Sequence, residues 1–259
     1  MFSWFRNRQA GPPADADYSR IDSRERAEQA SRRGDLHKLL LFPPEFGGED
    51  IFENVAYLPP LAAEAKWSID ANLVRSLAER QRVRKYVVRP SYLGRSFVPA
   101  AIAIEASGPG SFSSVIHVWG PGSSPRPAAD DSPEGRVRSF LRDYRDWNAR
   151  AAKRFGKAYD EAMELRIDRE YDELVARYCP PAAERQGIVY GTDPAFDPGA
   201  TRIVAVSTGD AQAVIRTAKR MHPESDSYHV HEFDLALQGA RWLLTGIYYI
   251  DGDERLPVL

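Results

Sequence analysis

The chain has a single cysteine, Cys179, among its 259 residues. An internal disulfide framework and a cysteine-built zinc site are thereby excluded, which fits a reducing compartment. Cys179 precedes two prolines and carries no nucleophile signature around it, so it reads as a core or boundary residue. No uninterrupted apolar run approaches the roughly 18–20 residues that span a bilayer, and no membrane span is expected. Lysine and arginine (35) nearly balance aspartate and glutamate (37), for a formal net charge of −2. The chain therefore has no overall basic field to draw nucleic acid or anionic lipid. A phosphate-binding loop is also missing: FGGEDIFEN has two glycines but no lysine and hydroxyl residue after them, and reads as a turn.

What is there begins with MFSWFRNRQAGPP, in which Phe2, Trp4 and Phe5 stand ahead of Arg6 and Arg8. That order is the reverse of a secretory leader, whose charge comes first, so a flexible tail and a cytoplasmic location are expected. Residues 1–35 as a whole read as a polar tail, with RIDSRERAEQASRRG able to form a solvated helix. Residues 36–120 read as a small α+β domain. An apolar run stops at Pro43 and Pro44, and LAAEAKWSIDANLVRSLAER then repeats Ala62, Ala65, Ile69, Leu73 and Leu77 at helical spacing. Three strand-like runs follow: VRKYVVRP, SFVPAAIAIEAS and SFSSVIHVWG. Residues 121–132, rich in Gly, Ser and Pro, read as a linker.

The remainder, 133–259, forms a second expected domain. Ser132 as cap, Pro133 and Glu134 start a helix whose apolar stripe is Val137, Phe140, Leu141, Tyr144, Trp147, Ala151 and Phe155. A second helical stretch with Tyr171, Leu174, Val175 and Tyr178 stops at Pro180 and Pro181. Its charges of both signs suit a solvated face. Then the period changes from 3.6 to 2: TRIVAVST, AQAVIRTAKRM, SYHVHEFDLALQ and RWLLTGIYYID read as four strands, turning at Gly209–Asp210 and Gly239. With no helix left to cross over, they must pair antiparallel, as a bent sheet with the helices on its concave side. The expected class is α+β.

The stretches STGDAQAV (207–214), YHVHEFDLALQGARWLL (228–244) and GIYYIDGDE (246–254) carry a resemblance. Helices followed by these strands resemble the nuclear transport factor 2-like fold, and within it the immunity proteins of bacterial polymorphic toxin systems. The likeness covers about residues 135–259; the stretch 36–120 resembles no family. It implies a cone-shaped sheet capped by helices and a non-enzymatic protein that neutralises a cognate toxin by direct contact. Homodimerisation through the sheet, with residues 36–120 carrying the function, is a further expectation.

Strand parity divides the third strand. His229, His231, Phe233, Leu235 and Leu237 should face the cone, with Trp242 beside them as a pocket-lining candidate. Tyr228, Val230, Glu232, Asp234 and Ala236 should face water or a partner. Tyr228, Glu232, Asp234, Tyr249, Asp251 and Asp253 are the partner-binding candidates, suited to a basic toxin. The two histidines could instead serve a small-molecule pocket or an enzyme. A metal site needs a third converging ligand. Of the carboxylates in reach, Glu232 alternates to the wrong face, and no matched Asp and Tyr complete an acid/base pair. No catalytic residue, metal or cofactor is accordingly expected.

Overall fold

The computed structural model describes residues 16–80, 82–120, 131–155, 161–181, 190–222, 227–252 and 254–259. The Phe2, Trp4 and Phe5 segment and nearly all of the expected linker lie outside them, as does Asp253. The architecture is α+β, and most strands pair in antiparallel sheet. Among the described residues no helix is long and apolar enough to cross a membrane.

Two compact units are present. One gathers residues up to 126 with 203–210 and 220–228; the other holds 127–202, 211–219 and 229–259. The division is thus not a single cut at the linker.

In the first unit, α1 (Arg24–Arg33) starts where the Ser23 hydroxyl accepts the Arg26 N–H at 3.3 Å. It ends at Gly34, whose φ of +85° lies in the left-handed region and whose N–H closes the last turn. Ala27 and Ala30 are buried on its inner face. The stretch expected as a solvated or frayed helix is therefore docked: alanines let the backbone approach closely while the arginines stay in water. Strands β1 (His37–Leu40) and β2 (Val55–Leu58) form an antiparallel ribbon, with His37 opposite Leu58.

A helical run follows in three parts: α2 (Pro60–Ser68), a π-helical turn (Ile69–Val74) and α3 (Arg75–Glu79). Ile69 and Val74, five residues apart across the wider π turn, are both buried. Strands β3 (Lys85–Ser91), β4 (Ala101–Ser107) and β5 (Ser111–His117) pair in succession. Their buried residues alternate, as a sheet with one covered face requires: Ile102, Ile104 and Ala106 on β4, Phe112, Ser114 and Ile116 on β5.

The second unit opens with α4 (Pro133–Phe155), whose cap is the expected one: the Ser132 hydroxyl accepts the Gly135 N–H at 2.9 Å. It runs beside α5 (Glu161–Tyr178), and the Trp147 indole donates to the Ile167 carbonyl at 3.4 Å. The remaining strands are β6 (Thr201–Gly209), β7 (Gln212–Arg220), β8 (Tyr228–Gln238), β9 (Arg241–Asp251) and β10 (Glu254–Pro257). Within the second unit the order is β7-β8-β9-β10. Strand β6 belongs to the first unit over most of its length and pairs with β5, Phe112 opposite Gly209 through Ile116 opposite Ala205. Hydroxyls join the pair: Ser114 with the Ser207 hydroxyl at 2.9 Å, Ser113 with Thr208 at 2.8 Å. One of the four strands expected in a self-contained 133–259 domain thus extends the sheet of 36–120.

The loop after β1 depends on a glycine. A Cβ on Gly48 would sit 1.8 Å from the Phe42 carbonyl oxygen and 2.6 Å from its carbon, both backbone atoms that cannot step aside. Gly48→Ala is expected to lower unfolding stability by about 1–3 kcal/mol, the usual range for an overpacked site. Urea unfolding measures it, and a variant as stable as the parent would contradict this account of the loop.

Candidate functional site

Strand β8 is buried on both sides, which the alternation alone does not reveal. On one side stand His231, Phe233 and Leu235, all buried, with His229 half-buried. Phe140 of α4 approaches Phe233 with ring centroids 6.1 Å apart, so this side meets the helices, as expected. The space in front of Phe233 is filled. Phe196, from the segment before β6, packs its ring 5.7 Å from Phe140, 4.9 Å from Tyr144, 5.6 Å from Phe233 and 5.0 Å from His231. Trp242 is not brought to this place. It lies half-buried opposite Leu237, whereas Tyr249 is the partner of His231; seven residues of strand, roughly 20 Å, separate the two.

The other side corrects the expected partner surface. Tyr228 is buried, with the Arg220 guanidinium 5.7 Å over its ring and donating to its hydroxyl at 3.2 Å. Val230 is fully buried and Glu232 nearly so. Glu232 accepts from Arg216 of β7 at 3.0 Å and pairs with Arg255 of β10 at 3.0 Å. Arg255 also donates to Asp234 at 2.8 Å and lies 4.0 Å over the Tyr248 ring. Two carboxylates and two guanidiniums thus gather in one ion-pair cluster. Burial pushes Asp234 above its ordinary carboxyl value while Arg255 pulls it back. Of the other partner candidates that the structure describes, Asp234 is half-buried in its pair with Arg255, Tyr249 is half-buried and Asp251 is exposed.

The histidine pair is asymmetric. His231 is held neutral down to about pH 4, first by burial and then by the charges of His229 and Lys219. Lys219 is itself buried, tied to the Asp193 carboxylate and donating to the Pro194 carbonyl at 2.7 Å. Both histidine rings pack against Tyr249, at 5.7 and 5.6 Å. Among the described residues no three His, Cys, Asp or Glu side chains converge as metal ligands. Burial of Cys179 pushes its thiol up to about 11, far from a reactive thiolate.

A second constellation, in the first unit, has no signature in the sequence. Lys66, fully buried on α2, donates to Asp70 in the π turn and, at 3.2 Å, to the Tyr86 oxygen. The Tyr86 hydroxyl donates to the other Asp70 oxygen at 2.6 Å, closing a triangle. Phe42 and Phe46 pack on the Tyr86 ring at 5.5 and 5.6 Å. Burial pushes the Lys66 ammonium down and the Asp70 carboxyl up, each against the attraction of the other; nearby Glu45 raises Asp70 further. Burial and the Asp70 charge also raise the Tyr86 phenol. Asp70 borders a cleft of about 330 Å³ whose walls include Leu39, Leu40, Phe46 and Trp67. The Pro43–Phe46 wall is stapled by Asn54, which accepts from the Phe42 N–H at 2.7 Å and donates to the Phe42 carbonyl at 2.9 Å.

No family model, no curated protein and no solved structure matches the chain.

Two predictions follow from these burials. Between pH 6.5 and about 4 the unfolded chain binds a proton at residue 231 that the folded chain refuses, so stability falls as pH drops through that window. From pH 7 to pH 4.5 the parent should lose about 2–3 kcal/mol more than His231→Leu. Parallel losses in urea unfolding at the two pH values would discard the assignment. For the triangle, Lys66→Met strands a buried carboxylate and should cost about 3–5 kcal/mol, whereas the double change Lys66→Met with Asp70→Leu should recover much of it. A double variant no more stable than the single one would show that the pair is not the reason.

Proposed function

We propose that the chain is a binding protein of the immunity type, which neutralises a cognate protein toxin by direct contact. The packing of α4 on the Phe233 side of β8 supports the helix-capped cone that the resemblance to the nuclear transport factor 2-like fold implies. The observation that carries the reading is the surface across β8, β9 and β10 at the histidine end. Leu256 lies opposite Tyr249, and Tyr249 opposite His231, so the three stand in one row on one face of the sheet. Leu256 is 43% exposed and Tyr249 half-buried, with exposed Asp251 and Glu254 beside them. An aromatic and an aliphatic anchor within an acidic rim is the make-up of a protein-binding patch. The carboxylates speed the approach of a basic partner, and the anchors hold it. A complete interface of this kind covers roughly 800 Å² on each side.

The test uses the product of the reading frame adjacent to this one, since immunity proteins are encoded beside their toxins. Tyr249→Ala and Leu256→Ala should each weaken the complex about tenfold or more by raising the dissociation rate. Asp251→Lys with Glu254→Lys should slow association and flatten its dependence on salt. Calorimetry and surface kinetics read these effects; unchanged binding in all the variants, or no complex at all, would overturn the proposal.

A further inference from the structure

We propose that the cleft of the first unit is a binding site for an organic monocation with an apolar body, held by the Asp70 carboxylate and the rings of Trp67 and Phe46. The inference stands apart from toxin binding and rests on this cleft alone.

Three other places carry less. The space before Phe233 is filled by Phe196. The depression between α4 and α5 holds charges that already answer each other, Arg177 with Asp143 at 2.6 Å and Arg154 with Glu170 at 2.9 Å. The basic run of Arg82, Arg84, Lys85 and Arg89 leads into the edge strand β3, which also carries Pro90, and charge with proline is how exposed edges avoid unwanted pairing.

The cleft differs in construction. Its volume, about 330 Å³, is that of a small-ligand site, and its walls are mostly apolar and aromatic. Among its charged lining residues, Lys38, Glu45 and Arg75 are 41%, 55% and 46% exposed, whereas Asp70 is 13% exposed. Asp70 is therefore the polar group a ligand meets deepest. A carboxylate accepts about four hydrogen bonds. Asp70 takes one from Lys66 and one from Tyr86, which leaves acceptor capacity. Lys66, at 0% exposure, cannot touch a ligand; it positions the carboxylate.

The sign of the ligand follows from the neighbours. The lip cations are engaged, Arg75 with Glu45 at 3.4 Å and Lys38 with Asp50 at 2.8 Å, so an anion would compete with carboxylates already in place. A cation gains from Asp70, from Glu45 nearby and from the faces of Trp67 and Phe46. Trp67 is 41% exposed, and it stands three residues before Asp70 and four before Ala71 on the same helical run, so all three share a face. The π turn that begins at Ile69 supports a site as well, since such turns concentrate where function is. A purely structural role explains less: an apolar pair of similar volume commonly stabilises a fold as well as a buried ion pair does.

The full chain is titrated with 2-phenylethylammonium, 2-phenylethanol and phenylacetate, following the indole N–H resonance of Trp67, assigned through Trp67→Phe. The ammonium should bind at least tenfold more tightly than the alcohol or the anion. Ala71→Phe, an exposed substitution that fills the cleft without touching the triangle, should weaken it tenfold or more with an unchanged melting temperature. A peptide with a central lysine then separates sources: displacement of the amine assigns the site to a partner's side chain, and no displacement assigns it to a free amine. Absence of saturable binding, equal affinity for the alcohol, tighter binding of the anion, or full binding by Ala71→Phe would each overturn the proposal.

Discussion

A carboxylate leaves water only if a cation or several donors come with it, and that constraint organises both units of this protein. Glu232 stands on a strand buried from two sides, so it requires Arg216 from β7 and Arg255 from β10. The second requirement explains β10 itself. Four residues make a weak strand, but Arg255 must lie across β9 to reach Glu232 and Asp234, and the Tyr248 ring supplies its bed. The backbone ladder and the charge contacts therefore support one another. In the first unit Asp70 meets the same demand with Lys66 one turn earlier and Tyr86 from β3.

The rule that charge faces outward fails here for a definable reason. Alternation assigns side chains to two faces, but it does not say whether the second face is wet. Along β8, Tyr228, Val230 and Glu232 occupy the face expected to meet solvent, and all three are buried. The surface we propose for a partner therefore lies at the sheet's histidine end, where Asp251, Glu254 and Leu256 are exposed and Tyr249 is half-buried. His231 takes part only as packing, because an imidazole walled by Phe196 and Tyr249 and facing Lys219 resists protonation.

Much of the fold was legible. The stripe from Val137 to Ala151, the Ser132 cap and the change of period after residue 200 are local signals, and the helices and strands formed where those signals stood. The pairing of β6 with β5 was not legible, since nothing within TRIVAVST distinguishes one strand neighbour from another. Phe196, in a segment rich in Asp and Pro, gave no periodic hint that it would plug the space before Phe233. The Lys66 site was hidden most thoroughly. A lysine four residues before an aspartate usually marks a solvated helical pair. Only the alanines around it, Ala62, Ala63 and Ala65, betray that this face turns inward.

The two proposed surfaces share a chemistry and differ in what it can deliver. Each sets aromatic rings beside carboxylates, and each therefore favours positive charge in a chain whose net charge is close to zero. At the β8–β10 end the carboxylates are solvated, so their field is screened within about 8–10 Å and serves approach more than retention. Asp70 sits where the surroundings are less polarisable, and a charge reaching it interacts more strongly. The same placement exacts desolvation of the ligand, which only an apolar body resting on Trp67 and Phe46 can offset. Charge alone would not suffice in the cleft, just as an apolar body alone would leave Asp70 half-answered; the requirement for both is what makes the site selective.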